Sequence, residues 1–178
     1  MVLFNYKLTL LTNIVLMRII ITNKLYIMTN FIKKKDITNN WFIIDASNAI
    51  VGRLAVIISK LIRGKNKKNF TPHMDHGDFV VIKNIEKIKF SGNKFSKKKY
   101  YRHTGYPGGI KEITPENLIL KKPEEILKLA VKRMLPGGAL AKKQMSKLKI
   151  YKGNEHPHVA QNPVEISLMK ENIKNIAR

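Results

Sequence analysis

The run His73-Met-Asp75-His76-Gly-Asp78 gathers two imidazoles and two carboxylates within six residues, the side chains that hold a metal ion in a hydrolytic centre. Such a centre needs further ligands around an open coordination position, and the remaining histidines are only His103, His156 and His158. The run is also bounded by Phe70-Thr-Pro72 and by an apolar stretch beginning after Gly77. Asp75 and Asp78 are therefore read as turn caps or as groups that orient the histidines. The chain has no cysteine, which removes disulfides, thiolate zinc sites and thiol nucleophiles. No Ser/His/Asp set, paired-carboxylate site or P-loop is visible, and Gly105 to Gly109 does not match the dinucleotide fingerprint. We expect no metal, no cofactor and no enzymatic activity.

The second kind of chemistry is electrostatic. Thirty-four Lys and Arg face twelve Asp and Glu, a formal charge of +22 on 178 residues. Self-repulsion on that scale calls for a polyanion, either nucleic acid or an anionic membrane surface. Lys60 to Lys111 holds fourteen basic residues and three acids. The clusters fall in expected loops: Arg63, Lys65, Lys67 and Lys68 beside His73, then Lys94, Lys97, Lys98 and Lys99. The second cluster runs directly into Tyr100-Tyr101-Arg102-His103-Thr104-Gly105-Tyr106-Pro107-Gly108-Gly109, with Lys111 close behind. Lysines neutralise phosphates, Tyr and Arg planes stack on unpaired bases, and glycine lets backbone approach a phosphate. Against this, Tyr100 and Tyr101 also read as strand residues, and Gly108 and Gly109 also read as a tight turn. Lysine outnumbers arginine 28 to 6, a bias of AT-rich coding that lowers the weight of any single Lys. Lys121 to Lys152 adds ten basic residues and two acids, from which Lys132, Arg133, Lys142, Lys143 and Lys147 are taken as RNA-binding candidates. Arg53 reads equally as a salt-bridged helix residue or a phosphate contact. His156 and His158 either cap a turn or touch RNA.

The elements that must carry these groups are legible in outline. Trp41 to Asp45 is a short apolar run, read as a buried strand. Leu54, Ile57, Ile58, Leu61 and Ile62 recur at helical spacing after an N-cap expected at Ser47 or Asn48, and Gly64 is placed to end the helix. Phe79 to Ile82 is a second strand and residues 86–90 a third, followed by a basic loop. Pro115 and Pro123 each open a helix. The second of these has Glu124 and Glu125 at its positive end and Lys132 and Arg133 at its negative end. On it Lys128 and Lys132 share a face opposite Leu127, Ala130, Val131 and Met134, which also fits a solvated amphipathic helix. Pro136-Gly137-Gly138 stops it, a short helix follows near 139–146, and Leu148 to Tyr151 is a last strand. Strands alternating with helices predict an α/β domain with parallel pairing.

Residues 1–40 differ in kind. They hold one Arg, no Ser and no Ala, and no acid precedes Asp36. Their apolar runs fall short of the ~20 residues a membrane span needs. An acid-poor basic leader fits a mitochondrial presequence, and translation starting at Met28 is the alternative.

Taken in order, these motifs resemble one family. They are Trp41 to Asp45 with Val51-Gly-Arg-Leu-Ala55; Arg63-Gly-Lys65 with Phe70-Thr-Pro-His73 and Gly77-Asp78; and Ser91-Gly-Asn-Lys94 with Tyr100-Tyr-Arg-His-Thr-Gly105 and Gly108-Gly-Ile-Lys111. Ala130-Val-Lys-Arg-Met-Leu-Pro136, Leu148-Lys-Ile-Tyr151, and Gly153-Asn-Glu-His-Pro-His158 with Ala160-Gln161 and Pro163 complete the set. The chain is similar to the universal large-subunit ribosomal protein thirteen family, bacterial or organellar type, from about Trp41 to Ile166. Asn66, Gly138, Ala139 and Ala141 depart from its usual pattern. The resemblance implies a single three-layer α/β domain around a four-stranded parallel sheet, spanning 41–166, with extensions at 1–40 and 167–178. It implies a non-enzymatic constituent of the large ribosomal subunit. Such a constituent binds large-subunit ribosomal RNA directly, early in assembly, beside neighbouring large-subunit proteins, as one copy and with no membrane. The compartment would be the cytoplasm of an AT-rich bacterium or a mitochondrial matrix. The rival reading from charge alone, a DNA- or messenger-binding module, would put base-reading Asn, Gln and Arg on a helix, whereas the basic residues here crowd into loops.

Overall fold

Strand β1 (Trp41–Asp45) lies at the centre of the sheet, because its apolar run has no polar face to offer water. It pairs in parallel with β2 (Phe79–Lys83), Trp41 opposite Phe79 and Asp45 opposite Lys83. The chain divides into two units, Met1–Lys33 and Lys34–Arg178. The structure, a computed structural model, describes residues 32–177, and the fold is that of the second unit. The presequence, membrane-span and start-site expectations for the leader lie outside the described residues. Among the described residues no helix is long and apolar enough to cross a membrane.

Between β1 and β2 runs α1 (Val51–Arg63), with Leu54, Ala55, Ile58 and Ile62 fully buried on one face. Its start differs from the sequence expectation. Ser47 spends its backbone N–H on the Asp45 carboxylate at 2.8 Å, and Asn48 sits in the left-handed region at φ 57°. The N-cap is Ile50, without a side-chain bond. The C-terminal end is as expected: Gly64 adopts φ 75°, and its N–H and that of Lys65 close the last turn on Leu61 and Lys60.

The third strand expected at 86–90 does not form. Asn84 turns left-handed at φ 56° and the chain enters a single 3-10 turn, Ile85–Lys87, that buries Ile85 and Ile88. Ile88 and Phe90 alternate with Lys87 and Lys89, which imitates a strand. Lys89 keeps only an isolated bridge to Ile50. The basic loop that follows is largely ordered as a short helix, α2 (Lys94–Lys97), and a hairpin of β3 (Tyr100–His103) and β4 (Ile110–Ile113).

Helices α3 (Pro115–Lys121) and α4 (Pro123–Met134) each begin on their proline, and α5 (Ala139–Ser146) leads into β5 (Leu148–Ile150). The fourth strand is a two-residue element that the residue pattern does not disclose, β6 (Val164–Glu165), completing the order β5-β2-β1-β6 with every pairing parallel. The sheet is flanked by helices, as a single three-layer domain requires. Ile44, Val80, Ile82, Leu148 and Ile150 form one core with Leu54, Ile58, Ile126, Leu127 and Val131. On the opposite face Trp41 stacks on Phe79 at 4.4 Å, and His158 covers Trp41 at 5.0 Å. The last segment docks too. After α6 (Leu168–Glu171), Asn175 and Ala177 bond back to Ile50 and Asn48, and Leu168 is buried.

Candidate nucleic-acid interface

The loop from Gly64 to Asp78, which carries the first basic cluster, is clamped at both ends by backbone contact. Asp78 donates its N–H to Leu61 O at 3.1 Å. A Cβ on Gly77 would stand 1.6 Å from the Ile62 carbonyl oxygen, so only glycine lets this strand entrance lie against α1. Inside the loop, two of the candidate RNA-binding lysines turn inward. Lys67 Nζ is 2.5 Å from the fully buried Asp78 carboxylate and donates to the carbonyls of Thr38 and His76. Lys147, just before β5, is itself buried and donates to Asp75 Oδ1 at 2.8 Å and Gly77 O at 2.7 Å. All three protons of Lys67 are thus engaged within the protein.

These pairs also decide what the histidine-carboxylate run does. Asp78 holds Lys67 and the Asn40 N–H, and Asp75 holds Lys147, so neither carboxylate orients a histidine as the sequence suggested. His76 is buried with its Nε2 unpartnered, and His73 is exposed. Burial, followed by the nearby Lys67 charge, holds the His76 pKa below the usual imidazole value. Among the described residues no three metal-ligating side chains come together. Around the locked frame Arg63 is half-buried, and Lys65, Lys68 and His73 are exposed.

The second cluster rides on the hairpin. Tyr100 is buried beneath it with Lys98 Nζ 4.8 Å from its ring centre, whereas Tyr101 is 65% exposed. Alternation along the strand explains the split: adjacent residues point to opposite faces. Arg102 stands directly opposite Lys111 across the ladder, and Tyr101 opposite Glu112, which pairs with Lys99 at 2.9 Å. The turn is held within the protein. Thr104 N–H donates to Gly109 O, Gly109 N–H to Tyr106 O, and His103 Nδ1 accepts from Gly105 N. Gly108 takes φ 69°, and a Cβ on Gly109 would meet Thr104 Oγ1 at 2.0 Å. Both glycines therefore have a turn to make. The helical elements bring distant charges to the hairpin base: Arg133 of α4 and Lys94 of α2 act on Lys98, whose pKa is lowered chiefly by burial and then by those two cations.

The remaining candidates divide plainly. Lys94, Lys97, Lys99, Lys132, Lys142 and Lys143 are exposed. Arg53 donates to the backbone carbonyl of Lys174, tying α1 to the C-terminal segment, and forms no salt bridge among the described residues. His158 is bonded to Tyr151 Oη at 2.8 Å, which gives it a packing role, and half-buried His156 has its Nδ1 unpartnered. Of the twelve carboxylates, six are taken by ion pairs with lysines. None of Arg63, Lys65, Lys68, Lys94, Lys97, Arg102, Lys111, Lys132, Arg133, Lys142 or Lys143 belongs to an ion pair among the described residues.

Sequence reasoning missed a groove of about 610 Å³ between the hairpin and helices α3 and α4. Its α4 wall is Glu125, Lys128, Leu129 and Lys132, spaced at one helical face. That spacing was visible in the sequence, but the hairpin facing it was not.

Fold and charge together define a class: a basic α/β protein whose unpaired cations sit on a loop, a hairpin and helix ends, with no assembled metal centre among the described residues. A family model, ribosomal protein L13, matches residues 39–157. The chain is 51% identical to the large ribosomal subunit protein uL13 of Citrifermentans bemidjiense over 140 residues, 79% of this chain and 99% of that one. It is 51% identical to that of Neorickettsia sennetsu over 148 residues, 83% and 97%. It is 50% identical to that of Thermosipho africanus over 139 residues, 78% and 93%. The chain belongs to the ribosomal protein L13 family, of bacterial type, whose members are structural and non-enzymatic. The expectation that it is not an enzyme therefore holds.

Proposed function

We propose that this chain is a structural constituent of the large ribosomal subunit, that it binds large-subunit ribosomal RNA directly, and that it supports early subunit assembly and translation. The carrying observation is the imbalance of the surface. Half of the carboxylates are already taken by lysines, while eleven candidate cations around the 63–68 loop, the hairpin and helices α4 and α5 have no ion-pair partner among the described residues. Arg63, Lys65 and Lys68 supply phosphate contacts on a loop that Lys67 holds in shape. Lys94, Lys97, Arg102 and Lys111, with Lys132 and Arg133, supply a second set. Neighbouring large-subunit proteins are the other partners, and one copy acts per ribosome. The reading is the same for the cytoplasm of a bacterium and for a mitochondrial matrix.

The test is binding of the purified chain to a large-subunit ribosomal RNA fragment at several salt concentrations, with its position in a lysate followed on a sucrose gradient. Six to ten phosphate contacts lose roughly 10³–10⁵ in affinity between 50 and 200 mM salt on duplex-type estimates. A flat plot of log affinity against log salt, or absence from the large-subunit fraction, overturns the proposal.

A further inference from the structure

We propose that the groove between the hairpin and α3/α4 receives an unpaired RNA nucleotide, its base on the apolar floor and its flanking phosphates on Arg102, Lys111 and Lys132. This rests on the RNA-binding reading and adds the form of RNA the groove takes.

The argument begins with the hairpin. Arg102 and Lys111 are direct cross-strand partners on its inner face, and like charges placed opposite one another destabilise a ladder. Neither is in an ion pair among the described residues. Glu112 is occupied by Lys99 on the outer face, and Glu125 lies 3.8 Å from Lys122. Lys128 is neutralised by Glu124 at 2.6 Å, so Lys132 is the α4 cation left to face the pair. With Lys121 of α3, four cations without an ion pair among the described residues line one groove, and an anion there relieves a repulsion the free protein carries.

The floor is of a different kind. Leu118, Leu129 and Met145 line it together with buried Tyr100. Free phosphate or a duplex backbone satisfies the rim and leaves this apolar floor against water, because the bases of an A-form helix are stacked inside it. An unpaired nucleotide satisfies both, since its base has an apolar face and its phosphates carry charge. The volume, about 610 Å³, lies within the roughly 300–1,000 Å³ range of pockets for single small ligands. Tyr101, exposed at the mouth, offers a surface to the next base. An acidic peptide with an apolar side chain is the other occupant the rim allows. Tyr101 and Arg102 both line the groove from adjacent strand positions, and their flat side chains suit a base better than a peptide carboxylate.

The test uses the full chain and three probes: a single-stranded oligouridine decamer carrying one 4-thiouridine, a duplex RNA with the same number of phosphates, and a glutamate decamer. Binding is measured at equal salt for the parent, Leu129→Gln and Lys132→Gln. The single strand is expected to bind about tenfold tighter than the duplex. Leu129→Gln is expected to erase that preference without weakening the duplex. Photocrosslinks are expected to fall on the groove-lining segments around Leu118 to Lys132 and Met145. Lys132→Gln, at an exposed position, reports on the rim should Leu129→Gln fold poorly; a several-fold loss for the single strand is expected. Equal binding of strand and duplex, or crosslinks confined to the 63–68 loop, overturns the groove assignment while leaving RNA binding intact. Preferential, Leu129-dependent binding of the glutamate decamer overturns it in favour of a protein segment. Failure of every RNA probe to bind overturns the proposed function as well.

Discussion

Lys147 and Lys143 stand four residues apart, and the fold gives them opposite work. Lys147→Met keeps the stem and removes the ammonium. That leaves the Asp75 carboxylate, 27% exposed, without its 2.8 Å partner, and the buried Gly77 carbonyl without a donor. Breaking a buried pair from one side costs about 3–5 kcal/mol. Asp75 keeps some water, so its share is nearer 2 kcal/mol, and the orphaned carbonyl adds about 1 kcal/mol. The expected loss is about 3 kcal/mol, a fall in melting temperature of roughly 6–12 °C for a domain of this size. Lys143→Met removes an exposed charge with no ion-pair partner, so its stability should stay within about 0.5 kcal/mol. RNA binding inverts the ranking. A lost phosphate contact at Lys143 lowers the salt slope by about 0.9, while the slope of the surviving folded Lys147→Met protein is unchanged. Thermal and urea unfolding give the first quantity, and titration of a ribosomal RNA fragment over a salt series gives the second. A Lys147→Met protein that melts within 2 °C of the parent, or that loses salt slope as a surface lysine does, would refute this division of labour.

Gly77→Ala should cost more than about 4 kcal/mol, since its Cβ meets backbone at Ile62 and lifting the strand away also breaks the Asp78–Lys67 pair; near-parental urea unfolding would sink the packing argument. Gly109→Ala should loosen the hairpin by about 1 kcal/mol or more, through the clash with Thr104 Oγ1 and the 2.8 Å approach to Tyr106 O. Hydrogen exchange of the 110–113 amides reads this directly, and unchanged protection with weakened subunit incorporation would return Gly109 to an RNA contact. His76 has a folded pKa below its unfolded value near 6.5, so the unfolded state takes up the proton first. Stability should therefore fall as pH drops from above 6.5 toward the folded pKa. His76→Leu should flatten that part of the pH–stability curve, and an unaltered slope would show that another group carries it.

Much of the architecture was written locally. A fully apolar run such as Phe79 to Ile82 has few options but a two-sided buried strand, and proline at Pro115 and Pro123 starts helices because its missing N–H is not needed there. Gly64 ended α1 for the same kind of reason, since its left-handed geometry is a property of one residue. The charge excess, the lack of thiol chemistry and the family motifs are likewise read residue by residue, and the motifs pointed to the family and its non-enzymatic class. The exceptions share a cause. Residues 86–90 alternate like a strand at Ile88 and Phe90, but Ile85 and Ile88 serve a 3-10 turn that depends on Asn84 reversing the chain. Val164–Glu165 became a strand only because β1 offered a free edge. Sorting the lysines needed the tertiary fold for the strongest physical reason. Whether an ammonium serves phosphate or carboxylate depends on what lies within about 3 Å of it, and for Lys67 and Lys147 those groups come from residues 9 to 72 positions away. The groove beside the hairpin is the same case: Leu129 and Lys132 announce a helix face, but only the folded chain sets Arg102 and Lys111 across from it.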